Sequence, residues 1–185
     1  MSVTRNARDR LSPAEFTLLG LVTLADGRIH GYDLNRQLTE GAIGEIIRLE
    51  PGMIYHYLKK LAKRGFITTT VVSQEGKPDR HLHKITDTGR DRFEAWIVEP
   101  VHATREMRLD FLLKLWFARM SSREQMTRLI RDQRKVLDGL VTSLETQRAR
   151  RPGDSDDDVF ARKVIDLRLA QNRAAIDWLD DLDAR

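Results

Sequence analysis

The amino-acid sequence predicts a mainly α-helical protein with a small β-hairpin, followed by a second part that is helical throughout. Three helical segments between residues 12 and 63 precede two short stretches rich in β-branched residues. Beyond residue 98, apolar residues recur at spacings of three and four, which is typical of helices. Three helices and then a hairpin is the order of a winged helix-turn-helix domain. We therefore predict such a domain over residues 1–98 and a C-terminal helical dimerisation domain over 99–185.

The first two helices are predicted from their start and stop signals. Ser12 precedes Pro13, and Glu15 follows Ser12 at the spacing of a capping box. The second helix runs through YDLNRQLTEG and stops at Gly41. Its side chains expected to face the core are Tyr32, Leu34 and Leu38.

The stretch PGMIYHYLKKLAKRGFI predicts the third helix. Pro51 suits the first turn, and Gly65 suits a left-handed stop. Apolar residues at helical spacing should pack on the first two helices, namely Ile54, Leu58, Leu61 and Ala62. The opposite face carries basic and hydrogen-bonding side chains, namely Tyr55, His56, Lys59, Lys60 and Lys63.

The segments FITTTVV and HLHKI are predicted to form the hairpin. The polar SQEGKPD between them contains Gly and Pro, so it should make a projecting tip. We expect Ile67, Val71 and Ile85 to pack against the third helix. Another helix should begin at TDTGRDRFEAWI, with Thr86 as its cap.

The second part is predicted to contain three helices. REMRLDFLLKLWFARM is apolar on nearly all sides, and a monomer with extended helices covers such a helix poorly. Ser121 and Glu124 stand at capping-box spacing before the next helix. Its seam is predicted to be Met126, Ile130, Gln133, Leu137, Leu140 and Leu144. The last helix, from about Val159, has one apolar line of Ile165, Leu169, Ile176 and Leu179 and a neighbouring line of Phe160, Val164, Leu167 and Trp178.

The charge of the chain is unevenly distributed. The net charge is +4, but residues 56–92 carry nine Lys or Arg against four Asp or Glu. A polyanion-binding surface requires such a concentration, although a solvated charged face is the other interpretation. There is no cysteine, which excludes disulfides and thiolate metal sites. Without an apolar signal region or an apolar run near ~20 residues, we expect a cytoplasmic protein that does not contact membranes.

The basic face of the third helix is best interpreted as a reader of the DNA major groove. Gly52 leaves room for close backbone approach, and Met53 could contact a thymine methyl group. The hairpin tip would reach an adjacent backbone or minor groove. A winged domain used only for protein contact is the alternative. The predicted DNA-binding residues are Pro51, Gly52, Met53, Tyr55, His56, Lys59, Lys60, Lys63, Lys77 and Arg80.

Three segments of the sequence resemble the PadR family of bacterial transcriptional regulators. They are LSPAEFTLLGLVTLADGRIHGYDLNRQL, PGMIYHYLKKLAKRGFI and GKPDRHLHKITDTGRDRFEAWI, and they span about residues 11–98. The tail resembles the longer-tailed members. The resemblance implies a repressor that forms a homodimer through its C-terminal helices, binds a palindromic double-stranded DNA operator, and is often released by a small molecule. It places the DNA-contacting helix at Pro51–Lys63, but Glu50 stands where the family usually has Ser or Thr.

Other chemistries find little support in the sequence. His81 and His83 lie two apart on one predicted strand face, but the other histidines are scattered, so no metal is expected. Neither a Walker-type loop nor a Gly-x-Ser-x-Gly elbow is present, and we predict no catalytic residue, cofactor or enzyme activity. Four aromatic residues could line a pocket for a flat apolar effector or simply fill the core, namely Trp96, Trp116, Phe117 and Trp178.

Overall fold

A computed structural model of the protein describes residues 10–25, 28–74, 77–151, 153 and 155–183, without the side chains of 74, 77–79 and 183. Backbone contacts divide the chain into two compact units, Met1–Ile97 and Val98–Arg185. Among the helices of the described ranges, none combines the length and the apolar character that crossing a bilayer requires.

The first unit is a winged helix-turn-helix fold. Its helices are α1 (Pro13–Leu24), α2 (Gly31–Glu40), α3 (Pro51–Lys63) and α4 (Asp87–Ile97), with a 3-10 turn at Ala42–Glu45. Its strands are β1 (Ile29–His30), β2 (Ile67–Gln74) and β3 (Lys77–Ile85). The predicted capping box is confirmed, because Ser12 Oγ accepts from the Glu15 N–H while Glu15 accepts from the Ser12 N–H. α3 packs on α1 and α2 through Ile54, Leu58 and Leu61, as predicted.

The sheet contains one strand more than the sequence predicts. Its order is β1-β3-β2, and both neighbouring pairs are antiparallel. β1 consists of two residues, with Ile29 opposite His83 and His30 opposite Leu82. Two residues are too few to show the alternation that signals a strand. β3 is therefore the central strand, and its buried side chains lie between two neighbours.

Two side chains predicted to face the core are exposed instead. Tyr32 is 69% exposed, because the buried line of α2 starts one residue earlier, at Gly31. Val71 is 53% exposed, whereas Ile67 and Ile85 are buried as predicted. The described side chains of β2 beyond Ile67 are all exposed, so only the start of this strand packs in the core.

Thr86 and Gly89 hold the start of α4 against Phe66, just after the end of α3. Thr86 Oγ1 accepts from the Gly89 N–H at 3.0 Å, which confirms Thr86 as the cap. The Thr86 N–H donates to the Phe66 carbonyl at 3.1 Å. A Cβ added to Gly89 would lie 2.0 Å from the same carbonyl oxygen, so only glycine fits there. This junction fixes where the wing leaves the helical body.

The second unit consists of a 3-10 segment (Thr104–Arg108) and three helices, α5 (Asp110–Ser121), α6 (Arg123–Ala149) and α7 (Asp156–Asp183). α6 and α7 are antiparallel, because their ion pairs join Arg134 to Asp180 and Arg148 to Asp166. These exposed pairs contribute little stability by themselves. The buried contact between the two helices is formed by Leu144, Ile165 and Leu169.

The predicted cap of α6 is wrong by one residue. Ser122, not Ser121, precedes the helix and accepts from the Gln125 N–H at 3.1 Å. Ser121 closes α5 instead, with its hydroxyl donating to the Phe117 carbonyl. Two adjacent serines offer the same local signal, and the position at which α5 ends decides between them.

Gln133 lies in the predicted seam of α6 but has a polar function there. It is fully buried, and its amide accepts from the Val101 N–H at 2.7 Å and donates to the Val101 carbonyl at 2.9 Å. Both backbone groups of an irregular segment are thereby satisfied in the interior. Gln133 thus ties the chain leading into α5 to the middle of α6.

Candidate nucleic-acid interface

The exposed side of α3 carries a straight line of residues at helical spacing. Gly52, His56, Lys59 and Lys63 follow one another at i, i+4, i+7 and i+11, and all four are exposed. We call these four residues the α3 stripe. Pro51 and Met53 are exposed beside it. Because Ile54, Leu58 and Leu61 face the core, the stripe points away from the body of the unit.

Gly52 has open space on its outer side. A Cβ added there would meet no described atom within 4 Å, so packing within the chain does not require glycine at this position. Since glycine in a helix costs about 0.5–1 kcal/mol relative to alanine, its presence needs another reason. Close approach of a partner to the backbone is such a reason.

Tyr55 flanks the stripe and lies against the start of α2. A Cβ added to Gly31 would lie 2.9 Å from the Tyr55 Cε1 atom, so the absence of a side chain at Gly31 makes room for this ring. Tyr55 itself remains exposed. Sequence reasoning identified Tyr55 but assigned no role to Gly31, which lies between His30 and Tyr32 in one of the segments that resemble the PadR family.

Glu50 is the N-cap of α3, but its side chain makes no capping hydrogen bond within the described residues. Its backbone carbonyl accepts from the Met53 N–H at 2.9 Å and the Ile54 N–H at 3.2 Å. The exposed carboxylate therefore lies at the N-terminal end of the α3 stripe. A negative charge suits the helix dipole but would repel an approaching phosphate.

Lys60, predicted as a DNA contact, is already engaged in an ion pair. Its Nζ lies 3.1 Å from Glu15 Oε1, and Arg64 Nη1 lies 3.7 Å from the same oxygen. Glu15 is 1% exposed, whereas the Lys60 side chain is 46% exposed. The partners are 45 positions apart in sequence, so no local pattern could have revealed the pair.

Protonation of Glu15 is unfavourable in the folded chain. Burial by itself raises the pKa of this carboxyl group, but hydrogen bonds from Ser12 and Lys60 together outweigh burial and hold the pKa below its ordinary value. The carboxylate is therefore charged at neutral pH and requires a cation beside it.

The wing presents Arg80 to solvent on β3, opposite Val72 on β2. Lys77 begins β3, but its side chain lies outside the described part of the structure. Lys84 is also exposed, opposite Thr68, and sequence reasoning did not select it. The wing thus adds cations to the same unit that carries the α3 stripe.

His83 is buried in the middle of the sheet. Its Nδ1 lies 3.0 Å from Thr69 Oγ1, while Nε2 is buried without a hydrogen-bond partner among the described residues. Burial lowers the pKa of His83, and the neighbouring His81 and His30 lower it further. The imidazole is therefore neutral in the folded state at neutral pH. Within the described ranges, no group of three or more potential ligands forms a metal site.

We expect acid to destabilise the first unit through His83. A depressed folded-state pKa means that the unfolded chain binds the proton first, so stability is lost as the pH falls below about 6.5. The slope for one proton is at most about 1.4 kcal/mol per pH unit. Chemical denaturation between pH 8 and pH 5 measures it.

His83→Gln should flatten that dependence, since glutamine can bond to Thr69 but does not titrate. His102→Gln, at an exposed position of the second unit, should leave the dependence as in the unsubstituted protein. Equal slopes for the two variants would remove His83 as the cause.

The four aromatic residues proposed for an effector pocket occupy different environments. Trp96 is buried in the first unit and stacks on Phe16, with ring centroids 4.5 Å apart. Phe117 is fully buried in the second unit, and Trp116 contacts it edge to face at 4.9 Å. Trp178 is 39% exposed on α7. Trp116 and Trp178 alone among the four retain appreciable exposed surface.

Comparison with known proteins yields matches along most of the chain. The model of the Transcriptional regulator PadR-like family matches residues 18–95, and the model described as Virulence activator alpha C-term matches residues 107–185. The Negative transcriptional regulator PadR of Bacillus subtilis is 24% identical over 174 residues, covering 91% of this chain and 94% of that protein. The Probable transcriptional regulator Rv1176c of Mycobacterium tuberculosis is 28% identical over 177 residues, covering 88% and 92%.

Two solved structures of Bacillus subtilis PadR align with most of the chain. Bacillus subtilis PadR in complex with operator DNA is 24% identical, covers 95% of this chain and 99% of its own, and superposes with a TM-score of 0.48. The same protein in complex with p-coumaric acid is 24% identical, covers 94% and 98%, and has a TM-score of 0.42.

Proposed function

The chain belongs to the PadR-like family of transcriptional regulators, and from this premise we propose that it represses transcription as a homodimer bound to a palindromic operator. Each first unit inserts α3 into the major groove of duplex DNA. Repression, rather than activation, follows the name of the Bacillus subtilis relative, a negative transcriptional regulator. DNA binding also requires no catalytic group.

The α3 stripe is the observation that carries this proposal. A major groove admits one helix, whose exposed side chains must donate to base edges or phosphates. Lys59 and Lys63 supply charge at one end of the stripe, His56 supplies a ring that can donate or accept, and Gly52 leaves the backbone accessible. Arg80 on the wing adds a backbone contact beside the groove. Lys60 is left out of this set because it is paired with Glu15.

The variant Gly52→Ala distinguishes an effect on folding stability from an effect on DNA affinity. Since an added Cβ meets nothing within the described chain, the folding stability should be unchanged or rise by up to about 1 kcal/mol. The affinity for DNA should nevertheless fall, because the methyl group separates the helix backbone from the duplex. Thermal unfolding and electrophoretic shift measure the two effects. Unchanged affinity would exclude close approach at Gly52.

The exposed face of α7 supports the homodimer. Phe160, Val164, Leu167 and Trp178 lie on the side of the helix away from the buried contact with α6, and Phe160 and Leu167 are 68% and 60% exposed. Trp178 is partly covered, because its ring contacts Phe111 of α5 edge to face at 6.3 Å. An apolar helix face that its own chain leaves exposed favours coverage by a second copy or another partner. A second copy of α7 offers the same apolar face, as a two-fold symmetric interface requires.

Release by a small aromatic effector completes the proposal. Trp116 and Trp178 offer exposed ring surface in the unit that we assign to dimerisation. An effector would shift the dimer only through its difference in affinity between a DNA-competent and an incompetent arrangement. Operator release then needs no chemical step.

Selection of genomic fragments by the purified protein, followed by electrophoretic shift at several salt concentrations, tests the proposed function. We expect recovery of one sequence class, with an affinity at least about 10³ times that for unrelated duplex. The other candidate, an adaptor that binds only proteins through its C-terminal helices, predicts no enriched sequence and no salt-dependent shift. That result would refute the proposed function.

A further inference from the structure

Glu15 pairs with a cation on the helix that we assign to DNA. Its Oε2 accepts from both the Ser12 N–H and the Ser12 hydroxyl at 2.9 Å, which fixes the carboxylate at the start of α1. Its Oε1 then faces Lys60 Nζ at 3.1 Å. Both the hydrogen bond from the ammonium group and its positive charge stabilise the carboxylate.

Lys60 stands at the edge of the exposed face of α3. It is turned about 100° from Lys59 but follows His56 by one helical turn, so it lies along the edge of the α3 stripe, on the side toward α1. Nearly half of its side chain remains exposed, so the ammonium group could reach solvent if Glu15 did not attract it. Without Glu15, Lys60 would be a third lysine available to phosphates.

We propose that Glu15 withholds Lys60 from the DNA backbone and thereby limits binding to DNA of any sequence. The inference rests on the proposed DNA binding. If Lys60 left for a phosphate, a buried carboxylate would lose its nearest cation, which costs more than an exposed phosphate contact returns. Phosphate contacts carry no sequence information, so withholding one lowers the affinity for unrelated sequences.

Arg64 does not replace Lys60 in this arrangement. Its guanidinium lies 3.7 Å from Glu15 Oε1 and 5.1 Å above the Phe66 ring, and only 18% of its side chain is exposed. Arg64 is therefore held by its surroundings, whereas Lys60 is held chiefly by Glu15. Glu15 therefore restrains the ammonium group of Lys60, which would otherwise be free to turn toward solvent.

Glu15→Gln is the direct test. Glutamine also supports a capping box, so the contact with Ser12 is kept while the charge is lost. On duplex of unrelated sequence, the slope of log K against log [salt] should steepen by about 0.9, and the affinity at ~0.1 M salt should rise about tenfold. The double variant Glu15→Gln/Lys60→Gln should return both values to those of the wild-type protein. A gain that persists in the double variant, or no gain at all, would overturn the inference.

Lys60→Gln by itself provides a second test that does not require replacement of Glu15. Because Lys60 is withheld in the wild-type protein, its loss should leave the salt slope unchanged, whereas Lys59→Ala should lower the slope by about 0.9. Equal losses for the two lysines would contradict the inference. If the wild-type protein itself showed no salt-dependent binding, the proposed function would fail instead, so the two failures are distinguishable.

Discussion

Replacing both Lys59 and Lys63 with alanine is expected to weaken DNA binding about a hundredfold at ~0.1 M salt. Each phosphate contact multiplies the binding constant by a factor that scales as about the −0.9 power of the salt concentration, which is about tenfold at this concentration. The salt slope should fall by about 1.8 for the same reason. Both side chains are exposed, so the folding stability should change little. Electrophoretic shift from 50 to 300 mM salt, alongside thermal unfolding, measures these effects.

Lys135→Ala is the matched control for the double variant. Lys135 is an exposed lysine on α6 in the second unit, paired with Asp132 at 3.1 Å. Its loss removes one positive charge from the chain but none from the α3 stripe. Affinity and slope should then match the wild-type values. Losses of equal size per lysine in both proteins would mean that net charge, rather than the stripe, governs binding.

Leu167→Glu is expected to dissociate the homodimer. Leu167 is 60% exposed in the single chain and central to the apolar line on α7. Burying a leucine contributes about 1.5–3 kcal/mol, and a symmetric interface contains each side chain twice, so the dimer should weaken by about 3–6 kcal/mol. This corresponds to a dissociation constant about 10² to 10⁴ times larger. Sedimentation velocity over a concentration series measures it.

Ser143→Glu is the control for Leu167→Glu. Ser143 is exposed on α6 and is turned about 100° from the buried Leu144 that follows it. The same new charge there should leave the assembly unchanged. If the wild-type chain stayed monomeric at micromolar concentration, or if both variants dissociated equally, the α7 face would not be the interface. Loss of operator binding should accompany dissociation, because each unit then binds only one half-site.

The sequence predicted those parts of the fold that are encoded locally. Ser12 and Glu15 form their capping box, Thr86 caps α4, and α3 spans Pro51–Lys63 as predicted. Each of these depends on residues within a few positions of one another, so short-range spacing is sufficient. The periodicity of α3 likewise identified its buried side, because apolar residues recur there every three or four positions.

Features that depend on tertiary contacts were missed or predicted wrongly. Tyr32 was predicted to face the core, but Gly31 begins the buried line of α2 and leaves the space beside it to Tyr55. Val71 looks like a core residue in a strand, yet nothing in the local sequence tells how far the helices reach beneath the wing. The Glu15–Lys60 pair joins distant positions. In each case the burial or pairing of the side chain depends on a residue that is distant in the sequence or that has no side chain of its own.

Hydroxyl-radical footprinting on the selected operator tests the central claim most directly. If two α3 helices enter successive major grooves, two equal protected segments should appear with centres about 10–10.5 base pairs apart, and both should vanish together in the Lys59→Ala/Lys63→Ala variant. A single protected segment, or protection that survives loss of both lysines, would contradict the account.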